Sequence, residues 1–277
     1  MKKSIFFALL LFLLSLPAIA NDRSEMNIRG NVTEIYERSK YLDKSNTLVD
    51  VKGGLFDNAS FFSAVYSNEH MGRAIDRKWF MSQISDCEIQ FNEFGNIISI
   101  KSVWEDGGEI YYSYDRNQRV RERDARSEYG NQNEGVTSYN YEVGDNGKVV
   151  REYVTTPDLQ YTIKHQYDNN NQLIRSIYEL GTTEFFFTYI SNQLRSIVLK
   201  GFWGDGIDAS FKIEYNTHGD ISSVTSTGKR GAYESERVTT FEYQYDSYGN
   251  WIYRQGRTVL KNGVEYNFQT TRSYTYK

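Results

Sequence analysis

Three histidines, one cysteine and a scatter of carboxylates are the side chains of this 277-residue chain that could carry out chemistry. His70, His165 and His218 are far apart, with no H-E-x-x-H and no Cys-His cluster, so no zinc site is expected. Cys87 stands alone in Ser85-Asp86-Cys87-Glu88-Ile89, a strand start, and is expected to be a small core residue. No G-x-S-x-G, P-loop or dinucleotide glycine pattern occurs. Gly204-Asp205-Gly206-Ile207-Asp208 offers oxygen atoms but lacks the acidic ladder and closing Glu of a calcium loop, so it reads as a plain turn. Glu105, Asp106, Glu234 and Glu236 are the carboxylates considered for glycoside hydrolysis. They are placed in loops or at edges, and among 36 acidic residues chance pairs are expected. No catalytic residue, metal or cofactor is therefore predicted. His165 is expected to be a satisfied core histidine, and His218 an exposed turn residue.

Aromatic side chains are the better functional lead. Trp104 and Trp203 flank the Gly-rich connections Glu105-Asp106-Gly107-Gly108 and Gly204-Asp205-Gly206. Phe202, Tyr111 and Tyr248 could join them if hairpins stack in register. Such a platform would suit a sugar ring or a protein surface. The structural alternative is that these rings cover the ends of a sheet.

The elements that must position these residues are strands. Leu159, Tyr161, Ile163, His165 and Tyr167 alternate with Gln160, Thr162, Lys164 and Gln166, and Ala209 to Tyr215 and Phe241 to Tyr245 repeat the pattern. Period-two alternation of aromatic and β-branched residues marks half-buried strands. After each such run comes a polar turn, then an apolar residue opening the next strand. The copies begin at Phe91, Tyr114, Tyr141, Tyr167, Tyr189, Tyr215 and Tyr245. Gly, Asn and Asp in the turns tolerate the positive φ of tight hairpins. Short turns also link the copies, so about seven hairpins and roughly fourteen to sixteen antiparallel strands are expected. Stacked hairpins would align the tyrosines into ladders, which accounts for 23 Tyr without a ligand. Gly30 to Tyr36 looks like the second half of a repeat whose first half is missing, and is read as a capping strand. Residues 56–81 lack clean periodicity.

Tyr245-Asp246-Ser247-Tyr248-Gly249-Asn250-Trp251 matches the Tyr-Asp-x-x-Gly-Asn-apolar unit completely, and the Tyr167, Tyr114 and Tyr215 units match it in part. Over residues 91–277 the chain resembles YD-repeat proteins of the Rhs and teneurin type, in particular small exported bacterial members. The resemblance implies an all-β fold with structural rather than catalytic Tyr and Gly-Asn positions. Large members wind into a hollow shell around a toxin. Seven repeats are too few for that shell, so an open or curled sheet is expected here. The carbohydrate association of some members implies a possible glycan ligand.

The N-terminus points to export. Met1-Lys2-Lys3, the apolar run Ile5–Leu16 and Pro17-Ala18-Ile19-Ala20 form the three parts of a cleaved signal peptide, with no lipobox cysteine. Cleavage removes Lys2 and Lys3, leaving 30 basic against 36 acidic residues and moving the net charge from −4 to −6. This mildly acidic balance gives no footprint for nucleic acid or anionic membrane. The expected organisation is a signal peptide over 1–20, an N-terminal capping segment over 21–90 and a hairpin-repeat domain over 91–277. The expected function is a periplasmic or secreted, non-catalytic protein-binding or structural module without a membrane anchor. A carbohydrate-binding module using Trp104, Trp203, Phe202 and Tyr248 is the alternative, and an unrecognised hydrolase comes third. The expected partner is an envelope protein or glycan.

Overall fold

A computed structural model describes residues 21–42, 48–49, 87–102, 108–126, 135–179, 183–202, 207–230 and 233–277. The export segment 1–20, the stretch 56–81, His70, Trp104, Glu105, Asp106 and Trp203 lie outside the described residues.

The described chain begins with one helical turn, α1 (Asp22–Glu25), followed by β1 (Val32–Leu42) and the two-residue β2 (Leu48–Val49). Fifteen strands then follow as a meander. They are β3 (Cys87–Phe91), β4 (Ile97–Ser102), β5 (Glu109–Tyr114), β6 (Val120–Arg126), β7 (Gly135–Val143), β8 (Val149–Thr155), β9 (Gln160–Tyr167) and β10 (Leu173–Tyr178). After them come β11 (Thr183–Ile190), β12 (Gln193–Phe202), β13 (Ile207–Tyr215), β14 (Ile221–Arg230), β15 (Tyr233–Tyr245), β16 (Trp251–Leu260) and β17 (Glu265–Tyr276). Each pairs antiparallel with the next.

The sheet is closed, which corrects the expectation of an open or curled one. β1 pairs with β17 from Val32↔Tyr276 to Leu42↔Asn267, and on its other edge with β3 from Glu34↔Gln90 to Glu37↔Cys87. With β1 and β3 to β17 in the ring, the barrel has sixteen strands. The physical reason is legible in the geometry. Gly30 has φ +79°, as Gly249 has +83°, and the Lys277 N–H donates to the Asn31 carbonyl as the Asp246 N–H does to Asn250. Tyr276-Lys277 and Gly30-Asn31-Val32 are thus the two halves of one more repeat, split between the ends of the described chain. The half-repeat at Gly30 has its missing partner in β17. Closure removes both free sheet edges.

The turns explain the repeated residues. In the Asp246–Asn250 turn the Asp246 carboxylate accepts the N–H groups of Tyr248 (2.9 Å) and Asn250 (2.8 Å), and Gly249 supplies the positive φ. Asn92, Asp115, Asp168 and Asn216 accept the equivalent pairs in their own turns. Each turn is followed by a register shift in its ladder, which leaves a carbonyl without a cross-strand donor. A tyrosine of the next hairpin supplies that donor. Tyr114 Oη donates to the Ile97 carbonyl (2.6 Å), Tyr141 to Val120 (2.6 Å), Tyr167 to Val149 (2.9 Å), Tyr243 to Ile221 (2.6 Å) and Tyr274 to Trp251 (2.8 Å).

The alternation sorts side chains between interior and exterior. Ile35, Ile89, Ile163, Phe185, Ile197, Leu199 and Ile213 point inward and are essentially sealed from solvent. They belong to two apolar clusters that run round the inner wall. Each such residue contributes about 1.5–3 kcal/mol. The outer face carries cross-strand ion pairs, among them Lys101–Glu109 (2.6 Å), Arg151–Glu142 (2.6 Å), Arg175–Glu184 (2.8 Å), Lys164–Glu179 and Arg257–Glu265.

Candidate functional site

All odd-to-even turns, from Asn92–Asn96 to Asp246–Asn250, gather at one end of the barrel, and residues 21–31 are strapped across that end. The Asp22 carboxylate, buried, accepts the Ile97 N–H (2.7 Å) and the Tyr114 hydroxyl (3.2 Å). The Arg23 N–H donates to the Gly95 carbonyl (3.0 Å). Asn27 Nδ2 donates to the His218 carbonyl (3.0 Å) and to Asp220 (3.1 Å). The Arg29 N–H donates to Asn250 Oδ1 (2.6 Å), whose amide donates back to the Arg29 carbonyl (2.8 Å). The strap therefore ties the β3–β4 turn, on one side of β1, to the β13–β14 and β15–β16 turns on the other. Tyr248 stands on this rim, exposed and stacked on Tyr276 at 4.5 Å. The Tyr276 phenol is pushed up to about 12, by burial first and then by its hydrogen bond to Asp246.

Of the aromatic residues expected from sequence to form a platform, Tyr248 and Tyr111 are described with their side chains. The backbone of Phe202 ends β12 at the opposite end of the barrel. Tyr111 lies on the outer wall of β5, bonded to Glu109 (2.6 Å).

Among the described residues, polar groups interrupt the apolar interior at several places, as where Arg237 Nε donates to the buried Ser226 Oγ (3.2 Å), and two of these groups are larger. At the closing strand, Arg272 Nε donates to Glu37 at 2.5 Å, with the ion pair almost wholly sealed. Ser39 and Thr270 share a hydrogen bond beside it (3.1 Å), and Arg254 Nη2 donates to Thr270 (3.2 Å). Both guanidinium groups lie against Trp251, at 3.7 Å for Arg272 and 4.9 Å for Arg254. Burial works against the Arg272 charge, but Glu37 and Tyr274 outweigh it and its pKa rises. Burial lowers that of Arg254.

The second group was not found from sequence. His165 Nδ1 lies 2.9 Å from Ser176 Oγ, and Nε2 lies 3.0 Å from Glu152 Oε1. Hydroxyl, imidazole and carboxylate stand in relay order, with the ring nitrogens exchanged relative to the serine-protease arrangement. Acyl transfer needs a carbonyl carbon about 3–3.5 Å from the oxygen and donors for the oxyanion. Ser176 is 1 % exposed, with His165 and Phe185 opposite it on the neighbouring strands. The triad is therefore a satisfied core network. Its hairpin register was the one signal available, since the Asp168–Gln172 turn sets Ser176 opposite His165. Burial raises Tyr167 to about 12, with Glu152 adding to it. Cys87 is buried and His218 exposed, each as expected.

An outer concavity of about 350 Å³ is formed over β12–β15 and the β16–β17 turn. Its floor holds the Ser210–Thr227 hydroxyl pair (2.7 Å), and Asp208, Lys229, Glu234, Glu236 and Lys261 line it. Glu234 and Glu236 lie within β15, opposite Lys229 and Thr227 on β14, rather than in a loop, and precede the β15–β16 ladder, which starts at Arg237↔Leu260. Among the described residues, no group of three or more His, Cys, Asp or Glu stands together as metal ligands would.

No protein-family model and no curated protein matches the chain. Among solved structures, the chain is similar to a porin-like protein from Bacteroides uniformis, with a TM-score of 0.46 and 11% identity over 88% of this chain and 98% of that one. A porin-like protein from Bacteroides vulgatus aligns with a TM-score of 0.32 and 9% identity over 70% and 93%. The Tc holotoxin pore of Photorhabdus luminescens aligns with a TM-score of 0.29 and 12% identity over 66% of this chain and 12% of that one. At these scores the likenesses carry no argument about function.

Proposed function

We propose that the mature chain is a periplasmic or secreted, water-soluble barrel of the YD-repeat type that serves as a non-catalytic binding or structural module. The observation that carries this reading is the sorting of side chains. Among the described residues the inner wall is mainly apolar, with its Glu37 and Arg272 charges paired with each other, and the outer wall is laced with ion pairs such as Arg151–Glu142 and Arg175–Glu184. A charged outer wall is unfavourable in lipid by about 2–4 kcal/mol for each Arg or Lys at the bilayer midplane. Among the described residues, the Ser176–His165–Glu152 group is buried. The signal-peptide pattern supports export, and the Asn21 N-cap of α1 would be the first residue after cleavage. Binding by the wall or by the strapped end is then what remains for the surface to do.

The test is fractionation of cells expressing the full chain, with intact-mass measurement of the product. A soluble envelope or medium product beginning at Asn21 is expected. Recovery in an alkali-resistant membrane pellet would overturn the reading.

A further inference from the structure

The outer concavity is a place among the described residues where the surface departs from a plain solvated wall. The outside of a closed sheet is convex, yet β12–β15 and the β16–β17 turn enclose about 350 Å³, the lower end of the roughly 300–1,000 Å³ typical of ligand pockets. Charges of alternating sign cross it. Asp208 on β13 faces Lys229 on β14, which faces Glu234 on β15, and Lys261 comes from the next turn.

These charges are not satisfied as those elsewhere on the wall are. Lys101–Glu109, Arg151–Glu142 and Arg175–Glu184 close to 2.6–2.8 Å. Here Lys229 and Lys261 share one carboxylate, Glu234, at 3.6 Å and 3.9 Å, beyond hydrogen-bond reach. Each ammonium therefore keeps donors to offer. Asp208 accepts a backbone N–H from Gly201 (3.2 Å) through one of its two oxygens. Glu236, beside Glu234 along the same wall, adds another carboxylate.

The geometry points to a binding site for a small zwitterion, a short peptide with a free ammonium and a free carboxylate. A simple cation entering the groove meets Lys229 and Lys261, and a simple anion meets Asp208, Glu234 and Glu236. A zwitterion of matching span satisfies both. Its carboxylate lies between the two lysines, where Glu234 is only loosely held. Its ammonium lies against Glu236, which faces Thr227 across the ladder, and its amide reaches the Ser210–Thr227 hydroxyls. The lining side chains of Lys229, Glu234 and Lys261 are about three-fifths exposed, so the site is weak and sensitive to salt. This inference rests on the binding-module reading but not on where the chain resides.

The test is titration of the isotope-labelled mature chain with glycyl-glycine, followed by amide NMR. Saturable shifts at Ser210, Thr227 and Gly228 are expected, about two- to fivefold weaker binding in Lys261→Ala and in Glu236→Gln, and loss of the shifts when both peptide termini are blocked. These variants alter exposed side chains, and unchanged melting would show that their fold is intact. Absence of saturable shifts, or equal binding of the blocked peptide, would overturn the site while leaving the fractionation result untouched.

Discussion

Replacing Glu37 by Ala should open the barrel at its closing strand. Glu37 is the β1 residue opposite both Arg272 on β17 and Cys87 on β3, and it is fully buried. The substitution leaves the Arg272 guanidinium sealed beside Arg254, two like charges with Trp251 as their shared apolar support. Removing one member of a buried ion pair costs about 3–5 kcal/mol. For a chain of this size each kcal/mol moves the melting temperature by about 2–4 °C, so a fall of about 6–20 °C is expected. Urea denaturation of the mature chain, followed by circular dichroism, measures the loss directly. Replacing both Glu37 and Arg272 by Met removes the charge together with its partner. That double variant should recover most of the stability, because an apolar pair of similar volume is often as stable as the ion pair. A loss below about 1 kcal/mol for Glu37→Ala, well outside the range for a buried pair, would refute the reasoning. So would a double variant as unstable as the sum of its parts.

Three further outcomes follow from the same packing. Alkali should unfold the protein. Burial lifts Tyr167 and Tyr276 to about 12 and raises Tyr178, Tyr243 and Tyr245 as well, above an unfolded value near 10. The stability these phenols contribute is complete below about pH 10 and is lost as pH climbs towards the folded values, so phenolate absorbance and loss of circular dichroism should rise together. A phenolate signal well ahead of unfolding would contradict this. Gly256→Ala should destabilise by about 1–3 kcal/mol, because a Cβ there meets the Phe268 ring at 2.0 Å; unchanged melting would mean that the ring does not cover the glycine. Tyr141→Phe should cost about 0.5–1.5 kcal/mol by leaving the Val120 carbonyl without its hydroxyl donor, measured by urea denaturation.

The hairpins were legible in the sequence because both of their signals are local. Alternation around Ile163 and His165 places side chains on two faces, and Asp246 to Asn250 spells out its own turn. Closure was not legible, because it depends on Gly30-Asn31-Val32 meeting Tyr276-Lys277 across nearly the whole chain. The matching halves were present as motifs, but nothing local says that they touch. The outer groove escaped for a similar reason. Glu234 was visible as a carboxylate, whereas its loose sharing by Lys229 and Lys261 depends on the pairing of β14 with β15 and on the turn that follows β16. The internal Ser176–His165–Glu152 group needed the register of three strands at once.

Closure is tested most directly at Glu34, which lies opposite Thr275 on β17 and Gln90 on β3. Cross-strand Cα atoms stand about 4.5–5.5 Å apart, within disulfide range. With Cys87 replaced by Ser, Glu34→Cys is paired in one variant with Thr275→Cys and in another with Gln90→Cys. Both variants should form the intrachain disulfide on mild oxidation of the folded monomer, read as intact mass and a shift on non-reducing gels. Formation of only one of the two would mean that β1 borders a single strand and that the sheet is open.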